Sequence, residues 1–350
     1  MNYKKINILT IIFLASLSST LIFWHVFDLT SLIDPLVDDR VSNLQKYFQK
    51  YQAVSLNDFL IQSSSLAEYY KSKLDIGYDL LTFTSKFLGL DFNQFLFLCI
   101  FTTFVAYIMI FINLTSCSYK VIYLILIILA FFWMRFTLGA ALRQGLAITF
   151  LFYFLFGSKR YTYIKALIII SLASLIHFSA IIFIPYLIFE KIFINRLKLL
   201  FVIFSFVIIL YIFNYNFFIS DIIFYFANLL EFDLRALKDY KVTNIPVVIS
   251  IPHPTTGFSI NKLLATIIPI FFFFISLYYF NDNYINKIQK RMGLFYIYPS
   301  LIGMALSQFS YYDRILLYSW TFSPLLLTFF CFKTYPLLKL NIKKAIKQVN

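Results

Sequence analysis

Long apolar segments recur from one end of this 350-residue chain to the other. A helix that crosses a membrane needs about 20 consecutive apolar residues, and several of these segments are that long. Hydrophobic residues make up 61% of the chain, whereas soluble domains contain roughly 45–50%. The sequence therefore predicts an all-α, polytopic integral membrane protein.

The apolar segments give a provisional map of the spans. The first is too long for the core of a signal peptide, so we expect an uncleaved span. Two polar segments, 28–91 and 218–261, interrupt the series, and Gly77–Leu90 is amphipathic enough to lie in the membrane interface. No second domain is evident, so residues 1–350 are predicted to form one membrane domain. The apolar segments are Ile6–Phe27, Phe92–Leu114, Tyr119–Met134, Leu138–Phe156, Tyr163–Phe189, Leu197–Phe217, Lys262–Phe280, Met292–Phe309 and Tyr312–Phe332.

The run Tyr163–Phe189 is flanked by basic residues on both sides, Lys159 and Arg160 before it and Lys191 after it. Short cytoplasmic loops are enriched in Lys and Arg, so both flanks are expected inside. The run then forms two short helices, broken near Ser174–Ser179, each about 20 Å long. This choice gives about ten crossings, with both termini cytoplasmic and both polar segments outside. Such short helices need polar partners for their ends, from protein or from a water-filled cavity.

Composition and motifs exclude several function classes. The net charge of +14 would suggest nucleic acid on a soluble protein, but here more than half of the basic residues lie in loops predicted inside. The chain has 8 glycines and no phosphate-binding loop. Its three cysteines have no metal-binding spacing and are predicted to be buried thiols. There is no zinc motif, nucleophile elbow or Asp-x-Asp pattern.

Four ionisable residues interrupt the apolar segments at positions predicted near the outer face. An arginine near the middle of a span costs roughly 2.5–3.5 kcal/mol, so such residues usually serve a function. Guanidinium groups bind diphosphate through paired hydrogen bonds, and histidine accepts protons near neutral pH. Small residues around the second arginine leave room for a ligand. The four residues are Arg135, Arg143, His177 and Arg314.

Structural roles remain open for the same residues. Arg135 is also compatible with snorkelling to the interface, and Arg143 with a structural ion pair. His177 is equally compatible with a hydrogen bond to a neighbouring helix. Arg314 has a carboxylate beside it, Asp313, that could neutralise it. Most of the acids predicted outside are expected to be solvated loop charges; they are Asp38, Asp39, Asp75 and Asp79.

Several short motifs resemble those of the EpsG/Wzy-type polysaccharide polymerases, and the resemblance covers most of the chain. That family carries an Arg-Gln-x-hydrophobic-Ala span, then a Phe-His-x-Ser/Thr-Ala span, then a late arginine segment. It also carries an outer loop with an Asp-rich start and a segment that usually reads Glu-Pro-Gly-Tyr. The matching positions are Arg135, Arg143-Gln144-Gly145-Leu146-Ala147, Ile176-His177-Phe178-Ser179-Ala180, Tyr312-Asp313-Arg314, Asp38-Asp39 and Asp75-Ile76-Gly77-Tyr78.

This resemblance implies an enzyme of the bacterial cytoplasmic membrane that joins oligosaccharide repeat units carried on undecaprenyl diphosphate. The product would be O-antigen, capsular or exopolysaccharide, made at the periplasmic or outer face without a metal or other cofactor. The partners would be the lipid-linked substrates and membrane lipids, and a chain-length regulator is left open; nucleic acid is not expected. Arg135, Arg143 and Arg314 would bind diphosphate, with His177 as the base. The reserve candidates for base or sugar binding are Asp313, Asp75, Asp39, Tyr311 and Tyr312.

Three other functions remain open. An O-antigen ligase uses the same type of donor but transfers the glycan to lipid A core. A flippase for lipid-linked oligosaccharides also needs buried cations, although such transporters usually show internal repeats, which are absent from this sequence. A membrane acyltransferase is the third alternative.

Overall fold

The computed structural model describes 12–21, 45, 48–49, 76–115, 125, 141–156, 162–213, 215, 222, 225, 259–279, 287–307, 312 and 314–327. Within these residues all regular secondary structure is helical, which confirms the all-α prediction for this part of the chain. Among them, the helical segment Phe92–Ile112 has the length and apolar composition needed to cross a membrane. The predicted number of crossings and the sidedness of the termini stay predictions.

The described helices follow the predicted apolar segments, with shifts at their ends. The chain turns at residue 141, so the fourth helix begins at Leu142 rather than at the predicted Leu138. The predicted segment Tyr119–Met134 lies outside the described residues except for Ile125. The elements are α1 (Ile12–Leu21), α2 (Ile76–Phe87), α3 (Phe92–Thr115), α4 (Leu142–Phe156), α5 (Tyr163–Ile176), a 3₁₀ helix (Phe178–Phe183), α6 (Ile184–Phe193), α7 (Leu197–Ile212), α8 (Ile260–Tyr279), α9 (Lys287–Ala305) and α10 (residues 314–327).

The helix α7 ends five residues before the predicted Phe217. At its end the Phe213 N–H donates to the Ile209 carbonyl at 3.0 Å, and the Tyr215 N–H reaches back to the Leu210 carbonyl at 2.8 Å. These bonds satisfy the last carbonyls of the helix and turn the chain. Hydropathy did not predict this helix end, because apolar residues continue past the turn.

The chain divides into two compact units, Met1–Leu187 and Ile188–Asn350. In the first unit α4 packs against both α3 and α5, and α5 also contacts α2 and the 3₁₀ helix. Thr149 and Thr103 link α4 to α3 through hydroxyl groups 3.4 Å apart, and the Tyr107 ring meets the Phe152 ring edge-on at 5.9 Å. The helix α4 therefore packs between α3 and α5.

Local capping fixes the turn between α2 and α3. The α2 terminus closes with two backbone bonds, from the Gly89 N–H to the Lys86 carbonyl and from the Leu90 N–H to the Ser85 carbonyl, each 3.1 Å long. Gly89 has a φ of 65°, the left-handed conformation that this closure requires. Asp91 and Gln94 then bond each other's backbone N–H at 2.8 and 3.0 Å, which starts α3.

Most of the buried residues of the helix α2 are polar, and its exposed residues include large apolar ones. Asp79, predicted to be a solvated loop charge, is only 1% exposed. That prediction is wrong because the helical period places Asp79 with Thr82 on the inward side. A helix with polar residues inside and apolar residues outside is suited to an apolar surrounding. The buried face holds Tyr78, Asp79, Thr82, Phe83 and Ser85, and the exposed face Leu80, Leu81, Thr84, Lys86 and Phe87.

In the second unit α9 is the central helix and contacts α7 and α8. Two glycines of α9 allow this packing. A Cβ added at Gly293 would lie 2.1 Å from the Phe273 ring on α8, and one at Gly303 would lie 2.6 Å from the Leu316 side chain on α10. Larger residues at these two positions would push the neighbouring helices away.

A buried hydrogen-bond network compensates for the proline inside α8. Pro269 has no N–H for the Ala265 carbonyl four residues earlier. The Tyr296 hydroxyl of α9 donates to that carbonyl at 3.1 Å, and the Trp320 indole N–H of α10 donates to the Thr266 hydroxyl at 2.9 Å. The carbonyl that Pro269 leaves without a helical donor is thus bonded by α9, and α10 adds a second hydrogen bond to the same turn of α8.

Candidate active site

The predicted break in the run Tyr163–Phe189 occurs at His177. The helix α5 ends at Ile176, His177 is extended with φ −152° and ψ 118°, and the 3₁₀ helix begins at Phe178. The His177 N–H donates to the Ala173 carbonyl and its own carbonyl accepts from the Ala180 N–H, both at 3.0 Å. The interruption therefore leaves the His177 backbone hydrogen-bonded, and its side chain is half-buried. The prediction of a break near Ser174–Ser179 is confirmed.

The helices α4 and α5 are 15 and 14 residues long, which is about 22 Å each. Both are shorter than the roughly 30 Å core of a bilayer. Because α4 ends at Phe156 and α5 begins at Tyr163, a short connection joins two helices that contact each other. The start of α4 and the end of α5 therefore belong to the same end of this helix pair.

Arg143 lies at that end, in the first turn of α4, and its side chain is half-buried. The helix α4 begins only one residue before it, at Leu142. The guanidinium carbon lies 6.0 Å from the centroid of the Tyr78 ring on α2. This distance is within the range of a cation–π interaction. The next residue, Gln144, is buried.

The first turn of α2 reaches the same end of the helix pair. A Cβ added at Gly77 would lie 3.0 Å from the carbonyl carbon and oxygen of Leu175 and 3.1 Å from the nitrogen of Ile176. These backbone atoms directly precede His177 at the end of α5. The start of α2, the start of α4 and the end of α5 thus meet, and they bring Arg143 and the backbone before His177 close to one short turn.

Tyr78 and Asp79 form the buried polar part of this meeting point. Tyr78 is 0% and Asp79 1% exposed. Burial raises the pKa of the Tyr78 hydroxyl above its ordinary value, and the nearby Arg143 opposes that rise. The hydroxyl is therefore protonated at neutral pH and unsuited to act as a base. Sequence reasoning did not select Asp79, although the three-residue spacing between Asp79 and Thr82 in this helical segment was a usable signal.

The second unit contains the other described candidates. Tyr312 is 1% exposed, and its hydroxyl lies 3.3 Å from the Tyr211 hydroxyl, which also accepts the Ser259 N–H at 3.0 Å. The Lys262 ammonium lies 4.4 Å from the centroid of the Tyr312 ring, so part of that ring is already covered. Arg314 is exposed at the start of α10. Lys262 was missed because a lysine at the end of a span looks like an ordinary flanking charge.

The structure thus brings the start of α4, with Arg143, and the break at His177 to one end of the first unit. Arg314 and Tyr312 belong to the second unit, so a meeting of Arg314 with Arg143 and His177 stays a prediction. The remaining candidates lie outside the described residues, and their roles also stay predictions. They are Arg135, Asp38, Asp39, Asp75, Tyr311 and Asp313.

The described residues form packed apolar helices, and two ionisable candidates, Arg143 and His177, lie at helix ends. This arrangement is typical of a helical membrane protein with a polar site. The model of the EpsG family matches residues 46–344, most of the chain, and the protein belongs to this family of Wzy-type polymerases. Membership implies a membrane protein of the polysaccharide-polymerase type. No curated protein and no solved structure matches the chain.

Proposed function

We propose that this protein polymerises oligosaccharide repeat units that are carried on undecaprenyl diphosphate, at the outer face of the bacterial cytoplasmic membrane. The observation that carries the proposal is that Arg143 and the break at His177 belong to one end of α4 and α5 in a member of the EpsG family. A cation beside a proton acceptor is what glycosyl transfer from a lipid diphosphate requires.

The reaction forms one bond and breaks another. A hydroxyl oxygen of the acceptor repeat unit attacks the anomeric carbon of the donor glycan, and the bond from that carbon to the diphosphate oxygen breaks with inversion. His177 takes the hydroxyl proton, because an imidazole changes charge near neutral pH. The electron pair of the broken bond leaves with undecaprenyl diphosphate, which departs as a lipid-bound anion.

Arg143 stabilises the charge that gathers on the departing diphosphate. A single preorganised donor of this kind is typically worth about 2.7–4 kcal/mol in the transition state. The planar guanidinium can offer two parallel N–H groups to neighbouring phosphate oxygens. Arg314 and Arg135 are proposed to add further positive charge, so that the reaction needs no metal ion.

The proposal is tested by replacing Arg143, His177 and Arg314 singly with glutamine in cells that make the cognate polysaccharide. We expect each replacement to shorten or abolish the polymer on gels of surface glycan, while single repeat units still reach the surface. Lys191→Gln, an exposed charge removal on α6, serves as the control and should leave long chains. Normal chain lengths in all three variants would contradict the assignment of the site.

The same cells separate polymerase from its alternatives. A ligase defect leaves finished polymer on its carrier lipid, and a flippase defect leaves no repeat units on the outer side. Either pattern in the Arg143→Gln strain would overturn the proposal in favour of that activity. Measuring the amount of each variant in the membrane excludes simple loss of protein.

A further inference from the structure

The first turn of α2 touches both parts of the proposed site through two consecutive residues. Tyr78 lies beneath the Arg143 guanidinium, whose central carbon is 6.0 Å from the ring centroid. Gly77 lies against the backbone of Leu175 and Ile176, directly before His177. One turn of α2 therefore contacts both the Arg143 guanidinium and the backbone next to His177.

We infer that Gly77 and Tyr78 are positioning residues for the reaction. Tyr78 holds the Arg143 guanidinium at the angle that the lipid diphosphate needs, and Gly77 sets how far that guanidinium stands from His177. The inference rests on the proposed function, since it concerns the geometry of that same site. Neither residue exchanges a proton or bonds to the sugar.

The Tyr78 ring is well fixed for this role. It is fully buried, and it meets the Phe95 ring of α3 edge-on, with centroids 6.1 Å apart and planes at 68°. A guanidinium beside an aromatic ring of fixed orientation loses less rotational freedom when it binds an anion. The interaction needs the ring and not the hydroxyl, which makes phenylalanine a conservative replacement and leucine a disruptive one.

At Gly77 the backbone of α2 lies close to the backbone at the end of α5. The atoms within 3.0–3.1 Å of an added Cβ belong to the main chain of Leu175 and Ile176, so no side chain can rotate away to make room. Alanine at this position must push α2 away from the end of α5. A misplacement of about 1 Å can lower a rate by about 100-fold, so a small shift here should slow the reaction more than it weakens binding.

The role of Tyr78 is tested with the purified full-length protein in detergent and undecaprenyl diphosphate as the probe. Tyr78→Phe should bind the probe as the wild type does, and Tyr78→Leu about 2- to 30-fold more weakly. In the double variant Tyr78→Leu/Arg143→Gln, the leucine should add no loss beyond that of Arg143→Gln. Tyr153→Leu, the same change at an exposed tyrosine of α4, is the matched control.

The outcomes distinguish this inference from the function on which it rests. Wild-type protein that does not bind undecaprenyl diphosphate would overturn the proposed function itself. In the second case the wild type binds and Arg143→Gln weakens binding. The positioning role alone then fails if Tyr78→Leu binds normally, or if it adds its own loss of binding in the double variant. A loss in Tyr78→Phe equal to that in Tyr78→Leu would also overturn it, because the hydroxyl would then carry the effect.

The role of Gly77 is tested with Gly77→Ala by two measurements. We expect binding of undecaprenyl diphosphate within about 2-fold of wild type. Polymer synthesis should fall further, by up to about 10-fold, because the contacts at Gly77 require a shift of only a few tenths of an ångström. Leu81→Ala, on the exposed side of the same helix, is the control. Normal polymer synthesis in Gly77→Ala, or a variant that melts far below wild type, would overturn the positioning role and leave Gly77 a packing residue.

Discussion

Breaking the ion pair between Glu190 and Arg291 should destabilise the second unit strongly. The Arg291 Nε donates to the Glu190 carboxylate at 2.6 Å, and the pair joins α6 to α9. Glu190 is 0% and Arg291 9% exposed. The perturbation is Glu190→Leu, which removes the carboxylate that accepts from the buried Arg291 Nε.

The burial of both side chains decides the expected magnitude. An exposed ion pair contributes about 0–1 kcal/mol, whereas removal of one partner of a buried pair costs about 3–5 kcal/mol. With about 2–4 °C of melting temperature per kcal/mol for a unit of this size, the loss corresponds to about 6–20 °C. The double variant Glu190→Leu/Arg291→Met should melt above Glu190→Leu, because it removes the buried arginine together with its carboxylate partner.

Thermal unfolding of the purified protein in detergent, followed by intrinsic fluorescence, measures these differences. Lys191→Gln removes an exposed charge next to Glu190 and should change the stability by less than about 0.5 kcal/mol. A Glu190→Leu variant that melted with the control, or a double variant that melted below Glu190→Leu, would refute this role of the buried ion pair.

Two further predictions concern the packing of α8 against α9. Tyr296→Phe removes the hydroxyl that donates to the Ala265 carbonyl at 3.1 Å, so it should lower the free energy of unfolding by about 1–3 kcal/mol. Thermal unfolding measures this loss, and an unchanged melting temperature would contradict it. Gly293→Ala places a methyl group against the Phe273 ring and should lower the free energy of unfolding by about 1–3 kcal/mol. Adding Phe273→Leu should restore part of that stability. If the second change restores none, the ring is not the cause of the loss.

Much of the local structure was predictable from the sequence. Hydropathy placed α3 within one residue at each end, because an uninterrupted apolar run follows the Asp91–Gln94 cap. Basic residues on both sides of Tyr163–Phe189 predicted a break in this run, and the helix does end before His177; the predicted return across the membrane stays a prediction. Both signals are local or depend on composition, and sequence carries such signals directly.

The contacts that assemble the site were not predictable in the same way. Tyr78 and Arg143 are far apart in the sequence, and their meeting depends on how α2 packs against α4 and α5. Glu190 and Arg291 are 101 residues apart and look like ordinary charges at the ends of spans. Asp79 was judged by its charge alone, whereas its helical spacing decides its burial. Pairing between distant helices is fixed by packing, which periodicity along one helix does not reveal.

The most direct test of the account is to supply the purified protein with lipid-linked repeat units extracted from cells that lack it. With a metal chelator present, we expect repeat units to be joined on the carrier lipid, with one undecaprenyl diphosphate released for each new bond. His177→Gln and Arg143→Gln should abolish both products while the proteins remain folded. Folded wild-type protein that joins no repeat units, or joining that survives both substitutions, would contradict the account.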